Sequence, residues 1–145
     1  MHPRHGERGN ALIETAITMP ILLLLMVGIF EIGRAYETWQ VLTNAAREGA
    51  RMSVTPDNDA ATTTQMVRKY MADGQLTKSA AAAVDINKNV TITVNGQPVG
   101  ASQVTVDYPF EFIMLQPIAR LVVPNTTTGQ AITMRASALM RNEAQ

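Results

Sequence analysis

Cysteine is absent from the 145 residues, which excludes a disulfide framework, a thiolate nucleophile and any zinc site with sulfur ligands. The redox compartment stays unread for the same reason. Histidine is nearly absent: His2 and His5 both stand in the first nine residues, so Ser-His or Cys-His catalysis and histidine-ligated metals have no materials further on. Net charge is lacking too. The chain sets 12 Lys+Arg against 12 Asp+Glu, and no global field draws it to nucleic acid. Charge of either sign is scarce at 17%, where a soluble domain usually carries roughly 25%. A carboxylate-only enzyme is the catalytic class left, and no carboxylate pair stands out for it. The expectation is a non-enzyme with no catalytic residues, no cofactor, no metal and no small-molecule substrate.

What is present is apolar surface, 46% of the residues, concentrated near the N-terminus. From Thr15 to Phe30 there are 16 residues without a charge, including the run from Ile21 to Val27. As a helix they rise roughly 24 Å, slightly short of a hydrocarbon core of about 30 Å. Counting from Asn10 to Phe30 gives 21 residues and a comfortable span, but places Glu14 among the apolar side chains. A buried ionised carboxylate is costly unless paired or protonated. The remaining ~110 residues suffice for one small core.

Three readings compete for this segment. A cleaved secretory signal needs a small-x-small end, and the run ends in Phe30-Glu31-Ile32-Gly33-Arg34 instead. A plain signal anchor suits the basic residues Arg4 and Arg8 and the length, but leaves Glu14 unexplained. The third accounts for Gly9 and Glu14 together. Gly9-Asn10-Ala11-Leu12-Ile13-Glu14 resembles the processing site of type IV pilins and pseudopilins: a short basic leader, a glycine before the cut, and a glutamate fifth after it. The continuation through Pro20-Ile21-Leu22-Leu23-Leu24-Leu25, Gly28 to Arg34 and Leu42 to Arg51 resembles the TadE-like pseudopilins of tight-adherence (Flp) type IVb pilus systems. Thr15 departs from the aromatic that Flp-type pilins usually carry after the glutamate. The resemblance covers residues 9 to 52; past residue 53 it is mostly architectural.

The resemblance implies cleavage between Gly9 and Asn10 by a prepilin peptidase, and a Glu14 carboxylate paired with the new amine of a neighbouring subunit. The bland alternative for Glu14 is a carboxylate that snorkels or takes up a proton. Pro20 removes one helical hydrogen bond and reads as a kink or weakened turn. Pro3 and Gly6 oppose a helix in the leader.

From Glu31 the helix continues as an amphipathic stalk, since Tyr36, Trp39, Leu42, Ala46 and Ala50 recur every three or four residues. Tyr36 and Trp39 have two readings, a membrane-interface belt or core anchors, and the stripe argues for the core. Ser53 to Pro56 ends the helix. Asp57-Asn58-Asp59 opens a second one through Met66, Val67, Tyr70 and Met71, stopping at Asp73-Gly74. It reads as a cap, because Ala61, Thr62 and Arg68 stand where a calcium loop needs an oxygen ligand, a glycine and a glutamate. Ser79 to Ala83 is a connector or loose helical turn. The period then changes to two: Val90, Ile92 and Val94 alternate with threonines, Asn95-Gly96 signals a hairpin turn, and Val104, Val106 and Tyr108 follow, with a third run from Ile132 to Met140. The insertion from Pro109 to Thr128, with Phe110 and Phe112, is apolar enough to pack or to form a contact surface. The sequons at Asn89 and Asn125 arise by chance in a threonine-rich chain.

The expected fold is therefore α+β and pilin-like: a long N-terminal transmembrane and amphipathic helix, and a second helix, packed on a small antiparallel sheet of about three strands. The division is a leader at 1–9, a transmembrane helix at 10–33 and an extracytoplasmic domain at 34–145. The expected function is that of a minor pseudopilin in assembly or structure of a Flp pilus, a single-pass protein of the bacterial inner membrane. The alternative is an unprocessed membrane-anchored adaptor. Expected partners are the prepilin peptidase, other pilins or pseudopilins, the assembly platform and the bilayer. Interaction candidates are Tyr36, Trp39, Phe110 and Phe112. Orientation follows from the resemblance, because Arg34 and Arg47 offset Arg4 and Arg8 in the positive-inside comparison.

Overall fold

A computed structural model describes residues 5–55 and 58–142. His2, Pro3 and Arg4 in the leader, Pro56 at the expected end of the first helix and Asp57 before the second lie outside the described residues. Two compact units are present. One holds the helix up to Arg34 together with Phe112–Gly129; the other holds Ala35–Glu111 and the chain from Gln130.

Helix α1 runs His5–Ser53. It starts inside the leader and passes Gly6, where the sequence argued against a helix: glycine does not forbid helical dihedrals, and only forgoes ~1 kcal/mol of propensity. It also passes Pro20 without a break. No described side chain from Gly9 to Met26 is buried. The hydroxyls of Thr15 and Thr18 donate back to the carbonyls of Ala11 and Glu14 at 2.8 and 2.9 Å, so these two polar groups are satisfied within the helix.

In the second unit the inner face of α1 is made of Thr38, Leu42, Ala45, Ala46, Gly49, Ala50 and Ser53, all buried. These small residues permit close packing. A Cβ on Gly49 would stand 2.6 Å from Val67 Cγ2 and 3.2 Å from Val104 Cγ1. Helix α2, Ala60–Asp73, opens on Asp59, whose side chain accepts from the Thr62 N–H at 2.7 Å. That confirms the cap. Its buried stripe is Thr63, Val67 and Met71, with Met66 and Tyr70 on the exposed side. The helix closes with Gln75 in the left-handed region at φ 62, while the Leu76 N–H donates to Met71 O and the Gln75 N–H to Ala72 O, both at 2.9 Å. This is the reciprocal C-terminal closure usually built on glycine.

After a short 3-10 turn at Ser79–Ala81 come β1, Ala83–Val94, and β2, Gln97–Phe110; β3 is Ile132–Arg141. The sheet is antiparallel in the order β1-β2-β3. Asn95 and Gly96, at φ 51 and 78, make the mirror-image turn that joins the hairpin. Val104, Val106, Tyr108 and Phe110 of β2 and Ala136 of β3 are buried.

The sheet carries one irregularity. The pairing shifts between Asn87 and Val90, where Lys88 and Asn89 together face one residue of β2. Beyond this bulge Val90 pairs with Ala101 and Ile92 with Val99, residues in the opposite phase to Val104 and Val106. Opposed residues share a face, so Val90, Ile92 and Val94 do not extend the apolar face of Val104 and Val106. They stay half-buried.

Candidate functional site

The residues that the sequence singled out lie along α1. Gly9 and Asn10 are exposed and helical, and among the described residues nothing beyond the adjoining helix backbone comes within 4 Å of the place where a Gly9 Cβ would stand. Glu14 is exposed on the same helix, and among the described residues its carboxylate has no hydrogen-bond or ion-pair partner. Around it Leu12, Ile13, Ile17, Ile21, Leu22, Leu23, Leu24 and Leu25 are all exposed among the described residues. The helix is long and apolar enough to cross a membrane.

Glu31 ends this surface, and its circumstances are the reverse of those of Glu14. Its side chain is only 2% exposed. Oε2 accepts from Arg34 Nη1 at 2.7 Å and Oε1 from the Met114 N–H at 2.6 Å. Met114 is the N-cap of α3, Leu115–Val122, and supplies no side-chain cap of its own. Glu31 thus takes the place of a capping side chain from a position 83 residues away in sequence. A carboxylate at a helix N-terminus is favoured both by the unpaired N–H groups there and by the helix dipole. The rest of the loop is built to fit. Pro117 falls in the first turn of α3, where its missing N–H costs no helical bond. Gly129, at φ 76, passes so close to α3 that a Cβ would stand 2.6 Å from the Gln116 nitrogen.

Of the four interaction candidates, Tyr36 and Trp39 are 60% and 46% exposed. The core role expected of them is overturned: Leu42, Ala46 and Ala50 of the stripe are buried, while Tyr36 and Trp39 diverge from the inner face, which begins instead at Thr38. Gln40 Nε2 donates to the Tyr36 hydroxyl at 2.6 Å. Phe110 is buried in the sheet and offers no surface; Phe112 is half-buried. Sequence reasoning passed over Glu31 as a functional residue. Its position as the first charge after the apolar run marked it, but nothing in the sequence names Met114 as its partner. Among the described residues no cluster of His, Asp or Glu suited to a metal occurs.

Residues 9–51 match the TadE-like protein family model. The matched stretch takes in the Gly9 to Glu14 motif, the whole apolar surface, Glu31 and all of the small-residue face but Ser53. The TadE-like family implies involvement in the Tad/Flp pilus system, and such families are typically structural rather than catalytic. No curated protein and no solved structure matches the chain.

Proposed function

We propose that the protein is a minor pseudopilin of a Flp pilus, held in the bacterial inner membrane by α1 and handed on to pilus assembly after removal of residues 1–9. The observation that carries this reading is Glu14: a carboxylate without a partner among the described residues, on a helix surface whose only stable surroundings are lipid or other helices. Leaving an ionised carboxylate unpaired there costs several kcal/mol. A free amine on Asn10 of an adjacent copy or related subunit meets that need, and cutting after Gly9 creates it. The domain following the span then lies outside the cytoplasm, with the prepilin peptidase and the assembly platform as transient partners and other pilins as lasting ones.

Intact mass before and after co-expression with a prepilin peptidase tests the reading. We expect loss of residues 1–9 from the native chain and full precursor mass for Gly9→Val, because a branched side chain obstructs a cleft that takes glycine. A mature protein that still begins at Met1 would instead support the unprocessed adaptor.

A further inference from the structure

The pin at Glu31 places a second apolar element at the boundary where the membrane span ends. From Thr15 to Phe30 the helix carries no charge, so a bilayer that accepts this stretch meets its polar boundary at Glu31. Met114 is hydrogen-bonded directly to that carboxylate. Ile113 and Met114 are 58% and 44% exposed, in the same compact unit as Ile29, Phe30 and Ile32, which are exposed on α1 beside Glu31. Val123, at the far end of α3, is exposed as well, and Arg120 stands in the last turn of that helix. An apolar group tied by a hydrogen bond to the residue that ends a membrane span stands at the depth of the headgroup boundary, where lipid covers it.

We infer that residues 113–123 form a second, interfacial membrane contact, in which Ile113 and Met114 enter the boundary between headgroups and acyl chains while Glu31 holds α3 down from the protein side. Interfacial elements of this kind bury their apolar face about 5–10 Å into that boundary, with basic residues left among the headgroups. The occupant is the bilayer surface rather than another protein. The inference rests on α1 being a membrane span.

The absence of native cysteine allows single-site labelling of the full chain. Leu24→Cys, Ile113→Cys and Met114→Cys, each carrying an environment-sensitive fluorophore, are reconstituted in vesicles of phosphatidylcholine and phosphatidylglycerol. Nitroxide quenchers are placed either near the headgroup end or near the terminus of the acyl chain. Labels at 113 and 114 should show blue-shifted emission, strong quenching by the shallow nitroxide, and weak quenching by the deep nitroxide and by aqueous iodide. Adding Glu31→Ala should shift the 113 label towards iodide, and Glu31→Gln should do so less, because the amide oxygen still accepts from Met114. Iodide-sensitive emission at 113 and 114 in the native background would overturn the inference, as would blue emission indifferent to both nitroxides, which marks a protein partner or a second copy. A Leu24 label untouched by the deep nitroxide would overturn the span reading and this inference together. Quenching at 24 without quenching at 113 would overturn this inference alone.

Discussion

A carboxylate that leaves water needs donors in place of its hydration, and α1 carries two such residues in different states. Glu31 has its donors inside the chain; Glu14 has none among the described residues, and under the proposed function its donor comes with assembly. Glu14→Val should therefore be cut normally after Gly9 and accumulate in the membrane, yet fail to enter fibres. Comparing membrane-bound with sheared surface material checks this, and normal assembly of the variant would mean that Glu14 is merely tolerated. A third carboxylate is a matter of stability. Asp107 receives two hydrogen bonds from Arg135, at 2.7 and 2.8 Å, and these hold its carboxyl below the usual aspartate range against the opposing effect of burial. Because its folded pKa is depressed, the stabilisation is present above the ordinary aspartate value, about 4, and is lost as pH falls through the folded value. Asp107→Asn should flatten part of the acid limb of a stability-against-pH curve and leave its shape above pH ~6 unchanged. The pair is largely solvent-exposed, so the effect is small.

Between elements, the packing of α1 on α2 and β2 is decided by small residues, which separates Leu42 from Trp39. Leu42→Ala removes a fully buried side chain and should cost about 2–5 kcal/mol. Trp39→Ala, at a half-exposed position, should stay within about 1 kcal/mol, and the single tryptophan should emit as a largely hydrated indole in the intact protein in mild detergent. Thermal unfolding and fluorescence report both. The sequence made the opposite choice at Trp39 for an understandable reason. Large apolar residues define a helical stripe by eye, whereas the true inner face is Thr38, Ala45, Gly49 and Ser53 with one leucine among them. Elements whose signal is local were legible: the uncharged run of α1, the Asp59 cap, the Asn95-Gly96 turn and the alternation of β2. The bulge at Lys88-Asn89 was not, because β1 was recognisable only from Val90 onward and its phase relative to β2 depends on pairing. Glu31 could be seen as a boundary but not as a cap, since its partner is distant in sequence.

At the scale of the whole molecule, a subunit anchored as proposed would be confined with its copies to a plane, at a local concentration no freely diffusing protein meets. A three-stranded sheet in the order β1-β2-β3 has two outer strands with unpaired backbone groups, and long regular outer strands invite strand-to-strand fusion between copies. The interruption at Lys88-Asn89 acts against that. It divides β1 into two short stretches of different phase, and Lys88 Nζ turns back to the Asn58 carbonyl at 2.6 Å, so a regular incoming strand meets a break in register partway along. Deleting Asn89 should restore an unbroken outer strand and make the purified full chain scatter light and bind an amyloid dye sooner than the native protein does. A bulge that costs the monomer part of its core-facing surface would thereby keep copies of the chain separate, and under the proposed function polymerisation would be left to the N-terminal helix.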